Sequence, residues 1–351
     1  MQFVHDTPAQ RVRFATGAAR EGLAAEVAVL GARRVMVIAG TGERELADRV
    51  TAGLPVVHHH DDVVMHVPVE VAERARAAAA ARDADVLVSV GGGSTTGLAK
   101  AVALRTGLPI VAVPTTYAGS EATAVWGLTE DSVKTTGTDI RVLPRAIVYD
   151  AALTLSLPAE LSVASGLNAL AHCVDSMWAP RSDPINQALA AEGVRALEAG
   201  LPLVVKNPDG LAGREQALYG AYLSAVAFAS AGAGLHHKTC HVLGGMFHLP
   251  HAQTHAVILP HVLAFNVPFA VEAEQRLAAA FGSRTAVEGL AGLRDKLGAP
   301  RSLRDLGMPQ EGVVAVAEAV VAGAPAGNPR PVTLDAITEL VRNAWEGAEP
   351  R

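Results

Sequence analysis

The sequence predicts an α/β domain built on a parallel sheet, followed by an all-helical domain. Two patterns carry this reading. In the first half, short β-branched apolar runs alternate with Ala-rich helical stretches. That is the rhythm of strands covered on both faces by crossover helices. From Leu157 onward helical periodicity dominates and strand signals fade. A chain of 351 residues is expected to form two domains. The LPAEL segment sets their limits at residues 1–157 and 158–351.

In order along the chain, RVMVIAG (34–40) reads as a buried strand ending in glycine. PVVHHHDDVVMHVP (55–68) reads as a short strand, a polar surface loop through His58, His59, His60, Asp61 and Asp62, and a second extended piece. VEVAERARAAAAARDAD (69–85) is helical on propensity alone. VLVSVGGG (86–93), LPIVAVPTT (108–116) and RAIVYD (145–150) are further strands. In the second half, PINQALAAEGVRALEAGLPLVV, REQALYGAYLSAVAFASA and VEAEQRLAAAFG read as helices, with Pro or Gly at the joins. GLHHKTCHVLGG (234–245) is a helix that Gly244 and Gly245 end or loosen, and the chain resumes as helix near His251.

Composition narrows the function classes. Hydrophobic residues make up 50% and charged residues 18%, as in a soluble, well-buried globular protein. The net charge is −6 and no basic stripe is present, so no nucleic-acid partner is expected. No apolar stretch has the length and purity of a membrane span, and MQFVHDTPAQ does not read as a secretory signal. Two cysteines, Cys173 and Cys240, without a CxxC motif make neither a disulfide framework nor a thiolate zinc site. A reducing, cytoplasmic setting is expected.

Strand, glycines, helix is the order of VLVSVGGGSTTGLAKAVAL (86–104). Glycines let a pyrophosphate approach the backbone, and a helix N-terminus presents free N–H groups to it. Gly91, Gly92 and Gly93 are the expected cradle, with Ser94 or Thr95 as the helix cap. The spacing is not GxGxxG, and a tight strand-to-helix turn is the plain alternative. A second loop, VPTTYAGSEAT (113–123), also follows a strand end, where doubly wound sheets bind ligands. Thr115 and Thr116 are expected near a ribose or nicotinamide, with Tyr117 and Ser120 beside them. VIAGTGER (37–44) ends in Gly40 and Thr41, with no acidic side chain at the strand end and Arg44 close by. That predicts NADPH accepted alongside NADH. Lys134 is expected to meet the cofactor or a substrate carboxylate.

Of thirteen histidines, seven fall between His236 and His261. Asn168 and His172 are four apart on a helical stretch and share a face, as do His237 and His241. His255 and His261 read as packed or hydrogen-bonded side chains and His248 as a turn residue. His172, His237, His241 and His251 are expected to form a polar pocket.

GGGST (91–95), PTTYAGSEAT (114–123), Asn168-x-x-x-His172 and His237-x-x-x-His241-x-Leu-Gly-Gly through Leu-Pro-His251 together resemble the iron-containing alcohol dehydrogenase family, as does NPRP (328–331). The resemblance implies a dehydroquinate-synthase-like fold, with a Rossmann-like dinucleotide-binding domain and a helical one, and homodimers. The family's metal is held by one Asp and three His. Those positions are Asn168, His172, His237 and His251 here, and His241 matches a further histidine of the site. Asn168 removes the carboxylate, so the metal site is degenerate and no required metal is expected. With the doubled His236-His237 and Cys240, this looks like the branch that reduces the carbon–carbon double bond of maleylacetate to 3-oxoadipate in bacterial degradation of aromatics.

Hydride addition to that conjugated alkene leaves an enolate, less basic than an alkoxide, which hydrogen-bond donors can hold. His172, His237 and His251 are expected to form a polar, partly cationic cradle. His241 or His237 would supply the proton, and Asn168 would orient one of them or bind the dicarboxylate. A metal-dependent alcohol or polyol dehydrogenase is the alternative. A dehydroquinate-synthase-like lyase would need an intact metal and many basic residues.

Overall fold

The computed structural model describes residues 2–130 and 133–350, and of Val133 and Lys134 the backbone alone. The chain divides into two compact units, Thr7–Leu157 and Pro158 onward. The residues up to Asp6 group with the second unit rather than the first. His5 Nδ1 lies 2.8 Å from Asp183 Oδ2 there.

The first unit holds β1 (Arg11–Phe14), α1 (Ala19–Val29), β2 (Val35–Ile38), α2 (Arg44–Val50), β3 (Val56–His60), α3 (Val69–Ala81), β4 (Val86–Gly91), α4 (Gly93–Thr106), β5 (Ile110–Pro114), β6 (Val125–Glu130), β7 (Val133–Thr138) and β8 (Ala146–Tyr149). Six strands form a sheet of order β1-β8-β5-β4-β2-β3, with every pair parallel. Val35, Val37, Val86 and Val88 face one apolar layer with α1 and α2, while Met36, Ile38 and Leu87 face another with α3 and α4. Both faces are covered, which is why the central strands read as unbroken apolar runs. From β2 the chain crosses to β3 on one side, and from β4 to β5 on the other. The connections therefore diverge between β2 and β4, and the crevice at such a switch point is where doubly wound sheets take ligands.

Two local expectations change, and three strands had no counterpart in the sequence reading. His58, His59 and His60 lie within the edge strand β3, not in a loop. The second extended piece reduces to a bridge between Pro68 and Thr129. β1 and the antiparallel pair β6–β7 gave no recognised signal: RVRF is only four residues, and its arginines mask the apolar alternation.

The second unit contains α5 (Ala159–Ser176), α6 (Pro184–Lys206), α7 (Leu211–Ala231), α8 (Leu235–Phe247), α9 (His251–Asn266), α10 (Val271–Phe281), α11 (Ala286–Leu297), α12 (Gly312–Ala322) and α13 (Leu334–Glu346). α6 and α7 pack backbone to backbone: a Cβ on Gly200 would lie 2.7 Å from Ala217 N, and one on Gly213 2.8 Å from Val204 N. α5 rests on this pair, with Cys173 Sγ filling the space over Gly193. α8, α9, α12 and α13 share a second apolar core. α8 runs straight through Gly244 and Gly245 and stops at Phe247, where His248 turns left-handed (φ 52°). No single described helix is long and apolar enough to cross a membrane.

Candidate active site

In the first unit, the turn from β4 into α4 interlocks with the loop after β5. Thr115 N donates to Gly91 O at 3.1 Å. A Cβ on Gly92 would come within 3.0 Å of Thr116 Cγ2, and one on Gly91, at φ 150°, within 2.5 Å of Thr95 Oγ1. The positive φ of Gly91 and the nearness of the Thr95 side chain both favour glycine there. The cap of α4 is Gly92, which has no side chain to cap it. Ser94 and Thr95, expected as caps, lie in the first helical turn. The first amides of α4 thus lack a cap from the residue that precedes them. Gly92, Gly93, Ser94, Thr116 and Ser120 remain partly accessible, whereas Thr95 and Thr115 are buried. Tyr117, expected at the cofactor, is fully buried. Gly40 and Thr41 sit at the end of β2. The side chain of Lys134 lies outside the described residues.

Lys100, fully buried on α4, holds the second loop in place. Its Nζ donates to Ser120 O (2.6 Å), Thr123 O (2.8 Å), Thr123 Oγ1 (3.1 Å) and Val125 O (2.8 Å). Burial pushes its pKa down to about 7, opposed by the charge of Glu121. Glu121 is itself buried and accepts from Tyr149 Oη at 2.7 Å. The signal for Lys100 was a lone lysine within the apolar GLAKAVAL run.

In the second unit, α5 carries Asn168, His172 and Asp175 on successive turns, and Asp175 organises the cluster. Its carboxylate accepts from the backbone N–H groups of Gly234 (3.0 Å), His236 (3.4 Å) and His237 (3.1 Å), and from His237 Nδ1 (2.7 Å). A side chain from another helix therefore caps the N-terminus of α8, satisfying amides that would otherwise be buried without partners. A Cβ on Gly234 would lie 2.5 Å from Asp175 Oδ1, so glycine is what lets the carboxylate in. Nothing local in the sequence marks Asp175, because its partner is 62 residues away.

Around this anchor the rings pack together. His172 lies nearly parallel to His237 with centroids 4.8 Å apart, and Phe228 contacts both. His236 Nε2 and His255 Nδ1 are hydrogen-bonded at 2.9 Å. The His251 ring is 4.4 Å from that of His255, and the His241 ring is 6.3 Å from that of His237. His241 and His251 are exposed, and His172 is partly so. Asn168 Oδ1, His172 Nδ1 and His237 Nε2 are buried with no hydrogen-bond partner among the described residues.

Burial lowers the pKa of His172 and of His237 well below the usual value, with neighbouring imidazoles adding to it. The same effects bring His236 to about 3. Both directions run against the cationic form of His172 and His237 that the expected cradle called for. Burial also raises Asp175, while the three backbone N–H groups oppose that rise. With so many donors aimed at it, the carboxylate is the charged member. His237 then carries its proton on Nδ1 and leaves a lone pair on Nε2.

The implied ligand positions offer a divalent metal lone pairs but no charge. Asn168 is neutral, and the nearby carboxylate, Asp175, is committed to α8 and His237. Among the described residues, the His, Cys, Asp or Glu side chains that bring three donor atoms within 4.8 Å of one another are His236, Cys240 and His255. That set leaves out His172, His237 and His251, and its two histidines are already bonded to each other.

The chain matches the model described as iron-containing alcohol dehydrogenase over residues 9–151, and that of the Fe-containing alcohol dehydrogenase family, C-terminal, over 162–345. It is 47% identical to maleylacetate reductase of Sphingobium indicum over 354 residues, covering 100% of this chain and 99% of that one. It also resembles the crystal structure of an iron-containing alcohol dehydrogenase from Corynebacterium glutamicum, at 58% identity and TM-score 0.97, covering 98% and 97% of the two chains. The structure of maleylacetate reductase from Agrobacterium tumefaciens is similar at 41% identity and TM-score 0.95, over 100% of both.

Proposed function

Since the chain belongs to the iron-containing alcohol dehydrogenase family, we propose that it is an oxidoreductase that reduces maleylacetate to 3-oxoadipate with a reduced nicotinamide dinucleotide, without a metal. One observation carries the reading: the buried polar atoms of Asn168, His172 and His237 bring no charge of their own, and the carboxylate beside them, Asp175, is directed at His237. Full-length likeness to maleylacetate reductases supports it.

The chemistry balances with these side chains. Hydride adds to the alkene carbon remote from the ketone. The π electrons move to form an enolate, whose charge rests on the ketone oxygen. The enolate carbon then takes a proton and the ketone re-forms. An enolate needs hydrogen-bond donors more than a Lewis acid. A dianionic substrate against His237 favours the imidazolium, and Asp175 is already in place to hold it. His237 Nε2 then donates to the enolate, and His241, exposed one turn along α8, connects it to solvent. Asn168 offers its amide to a substrate carboxylate or oxygen. The uncapped start of α4 receives the dinucleotide phosphates.

The test is oxidation of NADH or NADPH by the purified protein with maleylacetate, before and after dialysis against EDTA. Equal turnover in both samples is expected. Turnover lost with EDTA and restored by Fe²⁺ or Zn²⁺ would instead mean a metal-dependent dehydrogenase.

A further inference from the structure

We propose that Glu43 selects the adenosine end of the cofactor, favouring NADH over NADPH; this rests on the nicotinamide-dependent reading above. Position 40 ends β2 without a side chain, which by itself suggested tolerance of both cofactors. The space that side chain would fill is taken. A Cβ built on Gly40 would lie 2.8 Å from Glu43 Oε2. The short turn Thr41–Glu43 folds back at once, with Glu43 N donating to Gly40 O at 3.0 Å. The carboxylate is thus delivered to the strand end from three residues further on.

That strand end has a defined place in the sheet. β2 is the neighbour of β4, with Ile38 level with Ser89. Gly40 and Gly91 each follow two residues later, on the two sides of the switch point. In dinucleotide-binding sheets, the strand beside the glycine turn brings an acidic group to the ribose hydroxyls. A carboxylate accepts hydrogen bonds from a 2′,3′-diol and repels a 2′-phosphate.

The nearby cations do not offset this. Arg44 Nε donates to both Asp48 oxygens, at 3.1 and 3.2 Å, and His59 Nε2 lies 3.6 Å from Asp48. Burial lowers the His59 pKa, and Arg44 adds to the effect. Among the described residues no ion pair engages Glu43.

The experiment measures binding of NADH and NADPH by calorimetry, and kcat/KM for each with maleylacetate, in wild type, Glu43→Gln and Gly40→Ala. The Gly40→Ala methyl displaces the carboxylate while leaving its charge. Wild type should bind NADH about tenfold or more tighter than NADPH. Both variants should shrink that ratio, mainly by weakening NADH. A ratio unchanged in Glu43→Gln, or a wild type that binds both alike, overturns the proposal. A binding preference that follows Glu43 in a protein that does not turn over maleylacetate supports Glu43 and removes the substrate reading instead.

Discussion

Asp175 and His237, 62 residues apart in the chain, are joined by a 2.7 Å hydrogen bond between Oδ2 and Nδ1. The bond sets which nitrogen of His237 is left with the lone pair. Asp175→Asn should keep much of the packing but present an amide that can donate, reversing the tautomer. We expect kcat to fall by about 10²- to 10⁴-fold with cofactor affinity retained. His237→Ala should fall as far. Steady-state kinetics with calorimetry of cofactor binding check both. Near-wild-type kcat in either variant would remove His237 from proton transfer.

Asn168 keeps a carboxylate out of a position one turn before His172. Asn168→Asp should gain metal. After incubation with Zn²⁺ and desalting, elemental analysis should find far more ion in the variant than in wild type. The metal-free variant buries an unpaired charge, so its Tm should drop and recover when Zn²⁺ is added. A wild type that retains a full equivalent of ion would contradict the neutral-site reading.

Lys100 ties four oxygens of the loop after β5 to α4. Lys100→Met fills the volume but strands those acceptors. A loss of roughly 1–3 kcal/mol of stability is expected. KM for the nicotinamide cofactor should rise more than kcat falls, since the loop borders the glycine turn. Denaturant titration and kinetics together test this; an unchanged KM would mean that the loop holds its shape without the lysine.

Burial depresses His236 to about 3 and His261 to about 4, the latter with help from Arg294. Their unfolded-state value is near 6.5, so between these limits the unfolded chain binds more protons. Stability is therefore complete above about pH 6.5 and declines as pH falls toward 4. The slope is up to about 1.4 kcal/mol per pH unit for each such histidine. His261→Gln should flatten the fall in Tm between pH 6.5 and 4.5. An identical slope in the variant would exclude His261 from the acid response.

Much of this architecture was legible because periodicity is a local property. The apolar runs of β2, β4, β5 and β8 and the long patterns of α6 and α7 report their burial directly. His58 to His60 misled because an edge strand tolerates polar residues that resemble a loop. Ser94 and Thr95 misled because cap residues one step past a glycine turn fall inside the helix.

By itself, the sequence determined two units of different class, the glycine turn after β4, and a histidine-rich pair of helices beginning near Leu235 and His251. Each depends on residues close together in the chain. Only the tertiary structure decided that Asp175 caps α8, that Lys100 staples the loop after β5, and that Glu43 fills the space over Gly40. The first two depend on packing distant elements until buried polar groups find partners, and the third on the direction of a turn. Composition does not encode either.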